Sequence, residues 1–319
     1  MGGGDDTSSP PLKVAPDAGL GDASGGIDAT TGSDAGGDDA ADNETGVADA
    51  TPKTLALLRF ANWSVGAPAV DFCIAPHGMG TFKTPLLGAA AAKLQDGGID
   101  AGVAGGLSFP LASAYLPVDP AQYDVRLVAW GAPDCSAMIT SDATSLPALA
   151  SGGAGTIALV GAAQPRPGEP GLQIVGFLDD LKSTLSTAFL LRAINAAPDL
   201  PKVSVGAFLG GSFQTSIVGV PFGSSSAGIP NVGRSNPDSN GYVLVTPFAG
   251  TVVAASPTVP SLLDAAAGSI LVQTAPLTVG VGSVVTLAIV GSTGQSLAQI
   301  VECVDNGANP GVAGNCIAR

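Results

Sequence analysis

One stretch of the chain occurs twice, and any fold proposed for it must place both occurrences. Residues 57–72 read Leu-Leu-Arg-Phe-Ala-Asn-Trp-Ser-Val-Gly-Ala-Pro-Ala-Val-Asp-Phe, and residues 190–205 read Leu-Leu-Arg-Ala-Ile-Asn-Ala-Ala-Pro-Asp-Leu-Pro-Lys-Val-Ser-Val. At a constant offset of 133, Leu57, Leu58, Arg59, Asn62, Pro68 and Val70 meet Leu190, Leu191, Arg192, Asn195, Pro201 and Val203. Further blocks follow in the same order: Tyr115, Val118 and Pro120 meet Tyr242, Val245 and Pro247; Thr156 to Gly161 meets Thr286 to Gly291; and Gln173-Ile174-Val175 with Asp179 meets Gln299-Ile300-Val301 with Asp305. The offset changes only between blocks, where loop insertions cost little. The pattern predicts a tandem duplication, with domains over 54–183 and 184–319 behind a leading tract of residues 1–53.

The blocks read as strands. Leu55, Leu57, Arg59 and Ala61 share one face of an extended segment and Leu58, Phe60 and Asn62 the other. Thr156 to Gly161 and Gln173 to Leu178 are almost wholly apolar, the mark of strands covered on both faces. With 45 Gly, 25 Pro and only 12% charged residues, the chain favours short strands and tight turns over long helices. One helix is predicted, from Pro85 to Gln95, stopped by Asp96-Gly97-Gly98. The expectation is an all-β fold of two β-sandwiches, each copy being long enough for its own core.

Charge is unevenly placed. The chain carries −14, and residues 1–52, with ten Asp, Glu44 and Lys13, account for −10 of it. This tract has too little aliphatic bulk to offset the entropy of ordering, so a disordered acidic tether is expected. Its cluster Asp38-Asp39-Ala-Ala-Asp42-Asn43-Glu44 lacks the ligand spacing of a calcium loop. Net acidity and scattered Lys and Arg argue against nucleic acid as a partner. No apolar run reaches the length of a membrane span. The opening Met1-Gly2-Gly3-Gly4-Asp5-Asp6 resembles the start of a mature bacterial lipoprotein with its lipid-bearing Cys replaced, so membrane contact is expected only through an N-terminal lipid anchor absent from this sequence.

Four cysteines, Cys73, Cys135, Cys303 and Cys316, allow three pairings. Their spacing and the single His do not make a zinc site, and one bridge per copy keeps each domain self-contained. Two such bridges imply an oxidising compartment and an exported protein.

Few residues suggest chemistry, and none calls for a cofactor or a metal. Arg59 and Arg192 lie inside apolar strands and need a carboxylate or carbonyl partner, with Asp71 or Asp179 the candidates in the first copy. Asn62 and Asn195 recur beside them as further polar positions of structural or ligand-binding use. His77, in Ala-Pro-His-Gly-Met-Gly, is the base that a Ser-His-Asp hydrolase would have to use, but no nucleophile elbow accompanies it. Asp179 and Asp180 are neighbours on a strand and point apart; they suit a strand end better than paired acid catalysis or a calcium site at the domain junction. Trp63, Trp130, Phe109, Tyr115 and Tyr123 suit a core better than a sugar-binding platform. The segments Trp63 to Gly66 and Ala196 to Asp199, where the copies differ, are expected to be exposed.

The order Leu-Arg-x-x-Asn, Ala-Pro-Asp-x-Pro, a Val-rich strand, Tyr-x-x-Val-x-Pro and Thr-Ile-Ala-Leu-Val-Gly resembles the bacterial domain-of-unknown-function family 4397, two copies covering about residues 54–319. Arg192, Asn195, Ala197, Pro198, Asp199 and Pro201 carry the best match. The first copy departs at Trp63-Ser64-Val65-Gly66, and both copies carry Asn where the family often has His. The resemblance implies tandem Ig-like or transthyretin-like sandwiches in an exported, often lipid-anchored chain, and no established activity. The functional expectation is a non-catalytic surface or periplasmic protein that binds a protein or polysaccharide of the cell envelope. A calcium-dependent adhesin and a secreted hydrolase are the alternatives.

Overall fold

The computed structural model describes residues 54–88, 105–181, 183, 185–209, 212–230, 236–246, 253–256, 272–273, 280–292, 298–305 and 316–318. Its strands are β1 (Ala56–Asn62), β2 (Val70–Pro76), β3 (Leu116–Val118), β4 (Tyr123–Ala129), β5 (Ala154–Val160), β6 (Gln173–Asp179), β7 (Phe189–Asn195), β8 (Lys202–Leu209), β9 (Ser212–Pro221), β10 (Val243–Val245), β11 (Val253–Ser256), β12 (Val272–Gln273), β13 (Val284–Val290), β14 (Gln299–Val304) and β15 (Cys316–Ala318). The architecture is nearly all-β, as the Gly, Pro and alternation patterns predict. The acidic tract, its calcium-like cluster and most of the expected Pro85 to Gln95 helix lie outside the described residues; of that helix, residues 86–88 form a helical turn.

Residues 51–319 make up one compact unit. It contains two inner sheets, ordered β3-β1-β5-β6 and β10-β7-β13-β14-β15, and two outer ones, β2-β4 and β12-β11-β8-β9. Pairing in the two inner sheets follows one scheme. β1 runs parallel to β5 with Arg59 opposite Thr156, and β7 runs parallel to β13 with Arg192 opposite Thr286. β3 and β10 add antiparallel on one side, β6 and β14 on the other.

Alternation along β1 explains the layering. Leu58 and Phe60 point to the first outer sheet, where Val70, Phe72, Val125 and Leu127 meet them in one core; the Phe60 and Phe72 rings lie 4.8 Å apart. Leu191 and Ala193 of β7 do the same against Val203, Val205, Ile217 and Val220. The opposite faces of the inner sheets meet each other, Ala61, Trp63, Ala158, Val160 and Phe177 packing on Ile194, Ala288, Val290 and Val301. The layers therefore run outer, inner, inner, outer, and β5 and β13 are buried at all seven positions. Full burial of each Leu, Ile, Val or Phe contributes about 1.5–3 kcal/mol, so these two strands anchor the assembly.

Each of them ends in a glycine that the backbone requires. Gly161 and Gly291 have φ of 93° and 86°, a region that side chains disfavour. A Cβ on Gly161 would also stand 2.1 Å from the Gly171 carbonyl oxygen.

The segments expected to be exposed are mostly not. Trp63, Ser64, Ala196 and Ala197 are buried: Trp63 and Ala196 lie in the core between the inner sheets, and Ala197 lies in the core between β7 and its outer sheet. Only Gly66 is open to solvent and Asp199 partly so.

Candidate functional site

The charged residues of the inner sheets converge on one buried network. Arg59 points from β1 toward the second inner sheet and donates from Nη1 to Asp305 Oδ1 at 2.6 Å. Arg192 points from β7 toward the first and donates from Nη2 to Asp179 Oδ1 at 2.5 Å. Each strand therefore sends its cation to the carboxylate of the other half.

Within each half, a threonine and a tyrosine complete the set. Thr156 Oγ1 accepts from Arg59 Nε and Nη2 at 3.1 and 2.9 Å and donates to Asp179 Oδ2 at 2.5 Å. Thr286 Oγ1 accepts from Arg192 Nε and Nη2 at 3.2 and 2.9 Å and donates to Asp305 Oδ2 at 2.6 Å. Tyr115 and Tyr242 donate to Asp179 and Asp305 at 2.8 and 3.3 Å, and each ring lies 4.7 Å from the guanidinium of its own half. One hydroxyl has a single proton and two lone pairs, and both threonines use all three.

The network is electrically self-contained, with two guanidinium and two carboxylate groups. Burial opposes the Arg59 charge, but Asp305, Tyr115 and Asp179 more than offset it, and the guanidinium is held above its ordinary pKa. Arg192 is likewise raised, burial being outweighed by Tyr242, Asp179 and Asp305. Burial works against Asp179 too, yet Arg192 and Arg59 win and keep it below the usual carboxylate range. Burial pushes both tyrosines up, so they remain donors.

This arrangement corrects one of the two partners expected for Arg59. Asp71 lies in β2 of the outer sheet, whereas Arg59 points away from that sheet. The Asp71 carboxylate instead accepts the amide hydrogens of Phe72, Leu87 and Gly88 at 2.7, 2.8 and 2.8 Å, holding the turn at 86–88 beside an open pocket of about 240 Å³ walled by Thr84 and Trp130. Asp179 does approach Arg59, at 3.7 Å, but its closer cation is Arg192.

Asn62 and Asn195 act as staples for the turns that follow their strands. Asn62 donates from Nδ2 to the Pro68 and Leu107 carbonyls at 3.1 and 2.9 Å and accepts the Ser64 amide at 3.2 Å. Asn195 donates to Leu200 and Val220 at 2.9 and 3.1 Å and accepts the Ala197 amide at 3.2 Å. Both amides are buried and fully engaged.

The remaining sequence candidates are dispersed. Cys73 is bonded to Cys135 and Cys303 to Cys316, one bridge in each half. Asp179 and Asp180 diverge, Asp180 accepting from Asn240 at 2.8 Å. Trp63, Tyr115 and Tyr123 are buried, with Phe109 and Trp130 partly so. His77 is half exposed, with Nδ1 2.7 Å from Asp124 Oδ1. That bond, with the Gly78 amide on the other oxygen, holds Asp124 below its ordinary pKa. Among the described residues, no three His, Cys, Asp or Glu side chains gather as metal ligands, and no helix is long and apolar enough to cross a membrane.

Sequence reasoning identified the two arginines but missed Asp305 as a partner and the parts played by Thr156, Thr286, Tyr115 and Tyr242. The signal was present: all five stand at matching places in the repeated blocks.

Residues 56–206 match the family described as Domain of unknown function (DUF4397). Over these residues, just under half of the chain, the sequence is similar to that family. The DUF4397 stretch runs from the opening of β1 into β8, so it holds Arg59, Thr156, Asp179 and Arg192 but not Thr286 or Asp305. No curated protein matches the chain.

Proposed function

We propose that the chain is a non-catalytic, exported envelope or surface protein: two copies of one sandwich domain, joined back to back, that bind a protein or polysaccharide of the cell envelope. The reciprocal Arg59–Asp305 and Arg192–Asp179 pairs carry this reading. They form a buried polar cluster whose hydrogen bonds run mostly among its own side chains, with Arg192 also donating to the Leu178 carbonyl at 2.6 Å and Arg59 to Cys316 Sγ at 3.4 Å. An arrangement of this kind fixes the geometry of two domains and leaves the outer sheets and loops to meet a partner.

Duplication is supported by matched strand connectivity and by the equivalent register of Arg59 with Thr156 and of Arg192 with Thr286. Two disulfides are compatible with an oxidising, extracytoplasmic compartment. The test is co-sedimentation of the full chain with washed bacterial envelopes, with protein-stripped and polysaccharide-stripped preparations in parallel. Enrichment that disappears with one treatment supports the reading and names the partner class. No enrichment with any preparation, or turnover of envelope polysaccharide, overturns it.

A further inference from the structure

The turn after β2 carries the chain's single histidine and has no part in the buried network. Its backbone is fixed: His77 N donates to Gln122 O at 2.9 Å and Met79 N to Pro76 O at 3.0 Å. Gly78 and Gly80 take φ of 78° and 63° on either side of Met79. Asp124 accepts from His77 Nδ1 at 2.7 Å and from the Gly78 amide at 3.0 Å. A carboxylate only accepts, so Nδ1 carries a proton, and in the neutral imidazole Nε2 is the nitrogen left to ligate. A buried carboxylate that orients the far side of an imidazole is the usual support of a metal-ligating histidine.

Two residues further along the same turn, Met79 is 67% exposed. Methionine ordinarily fills core gaps, and here an ordered turn holds it in solvent. The geometry points to a binding site for a soft monovalent cation, Cu(I), with His77 Nε2 and the Met79 thioether as its two protein ligands and Asp124 as the positioning residue. Ligand type selects the metal: both Asp124 oxygens are engaged by N–H donors, which removes the oxygen donors that calcium or magnesium needs, while a thioether with an imidazole favours Cu(I). This site is independent of the envelope-binding reading.

The test offers ascorbate-reduced Cu(I) to the full-length chain under anaerobic conditions, in competition with the chromogenic chelator bicinchoninate. One equivalent should be retained. Met79→Leu, on an exposed side chain that the fold does not need, should weaken retention at least ten-fold, and His77→Ala should abolish it. Asp124→Asn should weaken it about 10- to 100-fold. Met138→Leu, at the other highly exposed methionine, should bind as the parent does. X-ray absorption of the loaded chain should show sulfur and nitrogen neighbours, the sulfur vanishing in Met79→Leu. The proposal is overturned by failure to compete with the chelator, by undiminished binding in Met79→Leu and His77→Ala, or by a loaded site without sulfur.

Discussion

Replacing Arg59 by Met tests the network where its physics is clearest. The Arg59 and Asp305 side chains are 1% and 0% exposed, so solvent does not screen the pair. Met fills most of the aliphatic volume and removes the guanidinium. Asp305 then keeps the Thr286 and Tyr242 hydroxyls on Oδ2 but loses its cation on Oδ1, and Thr156 loses two donors. Breaking a buried pair by removing one partner costs about 3–5 kcal/mol. For a unit of this size that corresponds to a fall in Tm of roughly 10 °C. Urea unfolding followed by circular dichroism measures the change, with an unaltered m-value showing that the denatured state is the same. The double change Arg59→Met with Asp305→Leu removes both charges, and its cost should fall at least 2 kcal/mol short of the two single costs added together, a coupling expected between contacting charges. Arg192→Met should cost somewhat less, since Asp179 would lose its closer cation but keep Arg59 at 3.7 Å. If Arg59→Met costs under about 1 kcal/mol, or the double change is simply additive, the pairs do not hold the halves together and the argument fails.

Removing Cys73–Cys135, which spans 62 residues, should cost about 4 kcal/mol, and removing Cys303–Cys316, which spans 13, about 3 kcal/mol; the reverse order in urea midpoints would count against loop entropy as the main term. Unfolded protein should show no titratable thiol, there being no free cysteine. Gly161→Ala should destabilise by more than 2 kcal/mol through its positive φ and the close Gly171 carbonyl, whereas Gly131→Ala, with the same sign of φ and open space, should cost only about 1–2 kcal/mol; equal midpoints would refute the steric part. The folded-state pKa of Asp179 is depressed, so its contribution is present above the unfolded value of about 3.9 and is lost as pH falls through the folded value. Tyr115 and Tyr242 have raised folded values, so their contribution is intact below the unfolded value of about 10 and declines above it. A stability profile flat from pH 9 to 11 would contradict the burial of the phenols.

The fold was legible because it rests on periodicity. Alternation in β1 and the unbroken apolar runs of β5 and β13 state which faces are covered, and the covered faces determine the layers. Arg59 and Arg192 were equally visible as charges in places where a charge must be paired. Their partners were harder to read, because membership of the same half pointed to Asp71 or Asp179 and left Asp305 out of view. What decides the pairing is side-chain direction: successive residues of a strand face opposite ways, and Arg59 faces the second half, where Asp305 stands 246 residues away. Trp63 drew two opposed expectations, core as an aromatic and exposed as part of a segment in which the copies differ, and the first is the one the structure bears out. A residue that differs between two otherwise matching segments suggests a surface, yet its indole is buried between the inner sheets.

That difference bears on how the two halves fit. If each half were identical, the inner face of each would have to be complementary to itself, as at a two-fold axis. The charged part meets this condition: Arg59 with Asp179 in one half and Arg192 with Asp305 in the other are the same pair of groups, each reaching across. The apolar part does not, since Trp63 at an offset of 133 faces the place of Ala196. Trp63 and Ala196 belong to the same apolar core between the inner sheets, and there a bulky ring from one half and a methyl from the other break the equivalence that two identical side chains would keep. The polar residues therefore preserve the symmetry of the joint, while the Trp63 and Ala196 pair makes it specific to one half meeting the other.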